Sequence, residues 1–403
     1  MIGPKNDRHL GCEVSRYLRL PHRGICTLQP FLSVQTKHKR LLSICSKGCT
    51  AAYSSTMSTS QGKISTSSLM QERMDFLKED LQHLFDDQGI DKSQYNDRVE
   101  FRDPITSYND VSGYMFNISM LKRVFNPTFE LHDIKQTGEY EATTRWTMTM
   151  EFTLTKGTPI SKWWRPKLIF TGVSIMGVNP ENKKFNRHID LWDAVKNQDF
   201  FSFEAFRHVL DQLGNMQRQP DIPTPYYKTL RKYKDFEIRR YDRVLVAETR
   251  MDAPSSGAKD DGSPAGKGDK AFNALAKYIF GGNASSAKMQ MTTPVFTDDR
   301  GAMQFVIDPS FQDKESLPAP NTDRVKVTER PSGEYAALSF SGVADPKAAS
   351  RKEQELRTCI HSKGLSAKGG EWYLARYNDP STKPMFRKNE VLIPIEKFDL
   401  WES

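Results

Sequence analysis

From residue 68 onward the apolar positions change spacing several times, and each change marks a new element. Met70, Met74, Leu77, Leu81 and Leu84 recur at three- and four-residue steps, which puts them on one face of a helix that Gly89 ends. A second helical pattern runs through Val111, Tyr114, Met115, Ile118, Leu121 and Phe125 and is stopped by Pro127. Between them lies Phe101-Arg102-Asp103-Pro104. The period then falls to two. Tyr140, Ala142, Thr144, Trp146, Met148, Met150, Phe152 and Leu154 alternate with Thr143, Arg145, Thr147, Thr149, Glu151 and Thr153, the pattern of an antiparallel strand with one buried and one wet face. Strands over Leu168–Val178 and Phe185–Trp192 and a helix over Phe200–Leu213 follow. Helices ahead of a long antiparallel sheet predict an α+β domain over residues 68–215.

Pro220, Pro223 and Pro225 punctuate a linker over 216–225, and a second domain is expected over 226–403. It opens with strands at Tyr226–Tyr233, Phe236–Tyr241 and Val244–Arg250. The Gly-, Pro-, Ser- and Asp-rich stretch 252–269 reads as a surface loop; its Gly-Lys-Gly lacks the spacing of a phosphate-binding loop. A helix over Lys270–Phe280 carries Phe272, Leu275, Ala276 and Ile279 on one stripe and is capped by Gly281-Gly282. Strands follow at Met289–Phe296, Met303–Ile307, Val325–Glu329 and Tyr335–Phe340. Asp345 as N-cap and Pro346 as first helical residue start a helix that runs to about His361 and ends at Gly364. Strands at Trp372–Tyr377 and Val391–Ile395 flank a Pro-rich turn over 380–384. Both halves read strand, helix, strand, strand, an architectural internal repeat.

The 403 residues suffice for two ordinary domains and a leader. No apolar run approaches the roughly 18–20 residues that span a bilayer. The longest, Leu168–Val178, is interrupted by Gly172 and Gly177. The net charge of +8 suggests nucleic acid until its distribution is read. Residues 1–60 hold nine Lys/Arg against Asp7 and Glu13, whereas the other 343 residues hold 49 Lys/Arg against 48 acids. The folded part is near neutral and has no basic footprint for phosphate. Cys12, Cys26, Cys45 and Cys49 also lie in the leader; Cys359 stands alone beyond it, so no internal disulfide is expected after cleavage and a reducing compartment is implied. Basic, acid-poor and rich in Ser/Thr, residues 1–60 read as a disordered transit peptide, with an addressless tail as the other reading. The hydroxyl-rich second half leans towards the plastid over the mitochondrion.

In the first domain, Asp103, His188 and Asp190 are candidates for proton transfer. His188 and Asp190 share a strand face opposite Ile189 and Leu191, which reads equally as a solvent side. A catalytic site, a ligand pocket or docking platform, and a purely structural role stay open.

Three segments carry a resemblance. Tyr227-Lys-Thr-Leu with Phe236-Glu-Ile-Arg-Arg-Tyr241, Tyr278-Ile-Phe-Gly-Gly-Asn283 with Lys288-Met-Gln-Met-Thr-Thr-Pro-Val295, and Tyr377-Asn-Asp-Pro with Lys383-Pro-Met-Phe-Arg-Lys-Asn-Glu-Val391 resemble the signatures of the SOUL/haem-binding-protein family. Phe101-Arg102-Asp103-Pro104 and His188-Ile189-Asp190-Leu191-Trp192 resemble those of the NTF2-like cone and of the uncharacterised domain fused to SOUL domains in plants and algae. The resemblance implies a curved-sheet cone followed by a distorted antiparallel β-barrel with two flanking helices and a pseudo-twofold repeat. It also implies haem or another tetrapyrrole as bound ligand, and a plastid location in stroma or plastoglobule. The expected role is a non-enzymatic carrier or buffer, with haem-handling enzymes or plastid lipid bodies as partners and no nucleic acid. Alternatives are an enzyme or small-ligand binder using the cone, and an interaction protein whose SOUL fold is ligand-free. The family's use of the first barrel helix implies that Phe272, Leu275, Ala276 and Ile279 meet the macrocycle, that Lys270 and Lys277 flank it, and that Lys383 and Arg387 close the rim on its propionates. The region matching the family's axial histidine, Val244–Thr249, has none; Met289, Met291 and His361 are the residual iron-ligand candidates.

Overall fold

The computed structural model describes residues 66–154, 157–159, 164–198, 201–251 and 267–401. The leader over 1–60 and most of the loop over 252–269 lie outside the described residues. No described helix is long and apolar enough to cross a membrane.

The first lobe is a curled sheet wrapped on two helices, α1 (Thr66–Asp80) and α2 (Val111–Val124). Its strands are β1 (Tyr95–Arg102), β2 (Ser107–Tyr108), β3 (Phe125–Gly138), β4 (Glu141–Phe152), β5 (Lys167–Val178) and β6 (Phe185–Trp192), in the order β2-β1-β6-β5-β4-β3. All pairs are antiparallel except β1 with β6. Met70, Leu77 and Leu81 of the α1 segment pack with Tyr114 of α2 onto Val99, Met176 and Phe185 in the hollow of the sheet. Helix α3 (Phe203–Leu213) closes the far end, with the Ser202 side chain accepting from the Ala205 N–H as its N-cap.

Two features depart from the expected pattern. The second helix does not run to Pro127: α2 ends at Val124 and passes directly into β3, where Pro127 pairs with Met150. A strand tolerates a residue without an N–H there because β3 is the edge of the sheet. The polar face of β4 is not wet either. Thr143, Arg145 and Thr147 are buried, because the second lobe packs near that face.

The second lobe comprises β7 (Tyr227–Lys232), β8 (Glu237–Tyr241), β9 (Val244–Arg250), α4 (Lys267–Ile279), β10 (Val295–Asp298), β11 (Ala302–Val306), β12 (Lys326–Arg330), β13 (Gly333–Phe340), α5 (Pro346–Ser362), β14 (Tyr373–Arg376) and β15 (Asn389–Pro394). The strands form one antiparallel sheet in the order β12-β9-β11-β10-β14-β15-β13-β8-β7, curled into a distorted barrel. The strand expected over Met289–Phe296 begins only at Val295. The repeat is explicit in this order. The triplet β9-β11-β10 mirrors β13-β15-β14 about the β10–β14 pair, α4 lies on β9 and β11, and α5 lies on β13 and β15. The strand ahead of each triplet pairs with the other half: β8 with β13, and β12 with β9.

The lobes are joined by a polar interface. Asp193 accepts from Arg145 Nη1 (2.8 Å) and Nη2 (2.6 Å) and from the Thr171 hydroxyl (2.5 Å), and pairs with Arg231 across the boundary at 3.8 Å. Thr147 Oγ1 donates to the Thr229 carbonyl at 2.6 Å, and the Lys232 N–H donates to Thr171 Oγ1 at 2.7 Å.

Candidate functional site

Helix α4 amphipathically covers one half of the barrel, and this decides which of its side chains can meet a ligand. Leu275 (0% exposed) and Ile279 (1%) are core residues, packed with Ala271 and Tyr278 on Leu245, Ala247, Met303 and Phe305. The stripe expected to carry a macrocycle is therefore the inward face of the helix, and the period that marks it is the period of burial. Ala276 is partly buried against the same cluster. Phe272 (38% exposed) leans edge-on over Phe305 at 5.1 Å, and Phe280 (56%) stands beyond the helix end, where Gly281 takes φ +102°. Lys277 is exposed and Lys270 half-buried.

Lys383 and Arg387 are not brought to this helix. They sit on the β14–β15 loop, where Arg387 donates to the Thr382 (2.7 Å) and Pro380 (2.5 Å) carbonyls and so holds its own turn. That loop binds Gly342 and Arg218, through the Gly342 N–H to the Pro384 carbonyl and the Arg218 N–H to the Phe386 carbonyl, each at 2.9 Å. Of the residual iron-ligand candidates, Met289 is buried in the α4 core, Met291 packs partly against it, and His361 is exposed in the last turn of α5. Among the described residues, no group of three or more His, Cys, Asp or Glu is placed to hold a metal ion.

In the first lobe, Asp103, His188 and Asp190 are held by structure-building bonds. Asp103 accepts from the Ile105 N–H (2.7 Å), the Thr106 N–H (2.6 Å) and the Thr106 hydroxyl (2.8 Å), closing the turn after β1. Burial pushes its carboxyl up to about 6 against the pull of those donors. His188 is buried inside the cone, not on a solvent side. Its Nε2 lies 2.8 Å from Asp190 Oδ1 and its Nδ1 2.9 Å from the Tyr114 hydroxyl. The carboxylate can only accept, so Nε2 donates; in the neutral ring Nδ1 then accepts from the Tyr114 hydroxyl. Asp190 Oδ1 also accepts from Ser174 Oγ (2.5 Å), which accepts from Trp146 Nε1 (2.7 Å). Both imidazole nitrogens are thus used in a chain that ties helix to sheet.

The three segments of the family resemblance meet in space. Arg239 donates through Nη1 and Nη2 to Glu390 (2.8 and 2.9 Å) and through Nε to Glu237 (2.8 Å). The Tyr377 hydroxyl donates to Glu390 at 2.6 Å, and Lys232 Nζ to Glu237 at 2.8 Å. Tyr227 lies under the guanidinium at 4.3 Å, and Thr293 Oγ1 donates to the Tyr377 carbonyl. Burial alone would raise the Glu390 carboxyl; Arg239 and Lys388 hold it down at about 2.

This network faces a cleft between the lobes with a volume of about 1330 Å³. Glu237, Arg239, Lys388 and Glu390 line its barrel side; Phe125, Phe152, Trp164 and His208 line its cone side. Residues 215–221 form a third wall, tied to the barrel by Asn378 Nδ2 to the Arg218 carbonyl and Lys388 Nζ to Gln219 Oε1, each at 2.8 Å. His208, Trp164 and the Arg239–Glu390 pair were not among the site residues the sequence suggests. The one signal was Glu237, Arg239 and Tyr241 at alternate positions of a strand, which places two charges on a buried face.

Residues 222–394 match the family model described as SOUL heme-binding protein, and residues 71–188 match one described as an uncharacterized conserved protein, DUF2358. Heme-binding protein 1 of Mus musculus is 33% identical over 132 residues, 30% of this chain and 68% of that protein. Heme-binding protein 1 of Xenopus tropicalis is 28% identical over 165 residues, 39% of this chain and 81% of that protein. Among solved structures, an NTF2-like protein of unknown function from Exiguobacterium sp. 255-15 aligns over 32% of this chain and 99% of its own, with 14% identity and a TM-score of 0.23. A hydrolase from Listeria innocua aligns over 40% of this chain and 92% of its own, with 15% identity and a TM-score of 0.29.

Proposed function

The chain belongs to the SOUL heme-binding protein family, and from that premise we propose that it binds haem and related tetrapyrroles without transforming them, as a carrier or buffer in the plastid. The observation that carries this reading is that residues 222–394 match the family and build its antiparallel barrel with a buried network at the meeting point of its signatures. A non-enzymatic role is supported by the cone, where the candidate acid and base groups are engaged in a turn and a helix-to-sheet chain. The plastid is supported by the acid-poor, hydroxyl-rich leader. Haem-handling enzymes or the surface of plastid lipid bodies are the partners such a carrier would serve.

The energetics set a requirement on the site. Burying about 300 Å² of apolar macrocycle stabilises the complex by roughly 7–8 kcal/mol. Association and ordering cost about 4 kcal/mol or more. The remainder gives millimolar binding at best, so submicromolar affinity needs propionate pairing or a nitrogen ligand on iron. Titration of the full-length protein with haem and with protoporphyrin IX, followed by Soret absorbance and tryptophan quenching, tests the reading. Saturation at micromolar ligand is expected; a linear response identical to buffer would reject it.

A further inference from the structure

We propose that the outer face of helix α3, carrying Phe203, Phe206 and Leu210, is a docking ridge for an uncharged lipid surface. The inference rests on the lipid-body partner proposed for the protein and adds which residues meet the lipid and which kind of lipid they fit.

Helix α3 is apolar on two faces, and the protein interior uses one of them. Ala205 is buried in the cluster of Trp146, Phe170 and Trp192, with Val209 and Leu213 packed against it. Phe203, Phe206 and Leu210 recur at steps of three and four on the other side and are 77%, 49% and 49% exposed. Phe201, one residue ahead of the Ser202 cap, is 74% exposed at φ +60°, a conformation that bulky side chains rarely adopt. Other large exposed apolar side chains, such as Phe116, Leu154 and Val343, fall singly on separate segments, which is ordinary for a surface. The ridge is set in place before it meets a partner. Ser202 caps the helix and Gln212 Oε1 accepts the Ile169 N–H of β5 at 2.8 Å, so docking has little backbone to order.

Area selects the occupant. At about 200 Å² per ring side chain, the three phenylalanines and Leu210 expose roughly 450–500 Å². The largest apolar patch on a monomer runs to about 300–600 Å² and is often functional. A stable protein interface takes about 800 Å² from each partner, so the ridge is too small to hold a second copy of this chain. A lipid surface sets no such requirement. One apolar face of a surface helix enters it to a depth of about 5–10 Å, and binding scales with the apolar area that goes in.

Charge selects the kind of lipid. Glu204 is turned onto the protein, with its Oε2 accepting from the Lys196 and Asn197 N–H groups at 3.0 and 3.1 Å. Arg207 and Asp211 pair along the helix at 3.7 Å. Helix α3 thus carries one cation against two carboxylates, and the neighbouring Lys196 brings the face to neutral. Surfaces that seek anionic headgroups are built with an excess of Lys and Arg. A neutral ridge of phenylalanines fits uncharged lipid.

The test uses the full chain and triolein droplets coated with phosphatidylcholine, in about 0.5 M salt to screen the basic residues 1–60. Flotation reads the bound fraction; circular dichroism and haem titration check that each variant is folded. Wild type is expected to float with the droplets. Phe203→Glu/Phe206→Glu is expected to lower partitioning by about tenfold or more while keeping the haem response of wild type. Phe116→Glu on α2 is expected to float as wild type. If the double variant floats equally well, or Phe116→Glu loses as much, the lipid partner stands and the ridge is overturned. If wild type stays in the aqueous phase, the lipid partner and the ridge fall together, and haem binding is judged separately by its titration. If wild type stays aqueous and forms a dimer that the double variant abolishes, the ridge is a face between copies and the inference is likewise overturned.

Discussion

Arg239 and Glu390, 151 positions apart in the chain, form a bidentate pair at 2.8 and 2.9 Å in which both side chains are buried. Glu237 binds the third guanidinium nitrogen and Tyr377 the carboxylate, so the pair is fully satisfied. Breaking such a pair on one side leaves a buried charge without its partner, which costs about 3–5 kcal/mol. Glu390→Gln is therefore expected to lower unfolding stability by that amount in a denaturant titration. The double variant Arg239→Met/Glu390→Leu should cost less than the sum of its single variants.

Acid sensitivity should come in two steps. His208 has its folded pKa held at about 4, below the ordinary 6.5, so its contribution is complete above pH 6.5 and lost as pH falls towards 4. The full shift corresponds to about 3 kcal/mol. Glu390, held at about 2, keeps its contribution until pH drops below the usual carboxylate range near 4.5. Between pH 6.5 and 4 this loss is opposed in wild type by Asp103, whose carboxyl burial raises to about 6 and which gains stability as pH falls, so the measure is the difference between the two proteins: His208→Gln should lose less stability than wild type over that window. An unchanged slope in that variant would remove His208 from the account.

The lobes should unfold as one. Asp193 gathers Arg145, Thr171 and Arg231 at the boundary, and Arg145 is almost fully buried with it. Asp193→Ala strands that guanidinium at a cost of about 3 kcal/mol or more. Calorimetry of wild type is expected to show one transition, and the variant two.

The chain Trp146–Ser174–Asp190–His188–Tyr114 is a strut between sheet and helix. His188→Leu should lower stability by about 1–3 kcal/mol, the cost of leaving buried polar partners unsatisfied, and should leave haem affinity unchanged. A haem affinity that changes with this substitution while the fold is intact would contradict the assignment.

The sequence is most legible where one period serves one purpose. Strand β6 and helix α5 follow their patterns to within a residue, because each buries one face and caps where its chemistry says. Strand β1 escapes because its buried residues, Tyr95, Val99 and Phe101, straddle a register shift against β6 that breaks the period of two. Burial on both faces of β4 escapes because it is imposed by a lobe whose chain begins some seventy residues later. The α4 stripe shows the limit for function. An apolar ridge that contacts a ligand and one that contacts a core have the same spacing, and in Leu275 and Ile279 the core has claimed it. The Arg239 network and His208 depend on tertiary approach of segments far apart in sequence, which no local pattern encodes.

The exchange of outer strands between the barrel halves has a consequence for how the lobe can be divided. β8 completes the later half and β12 the earlier one, so a cut between the two triplets separates each from the strand that covers its flank. The two halves are therefore mutually obligate. Fragments expressed apart would have to recombine before either acquires an interior.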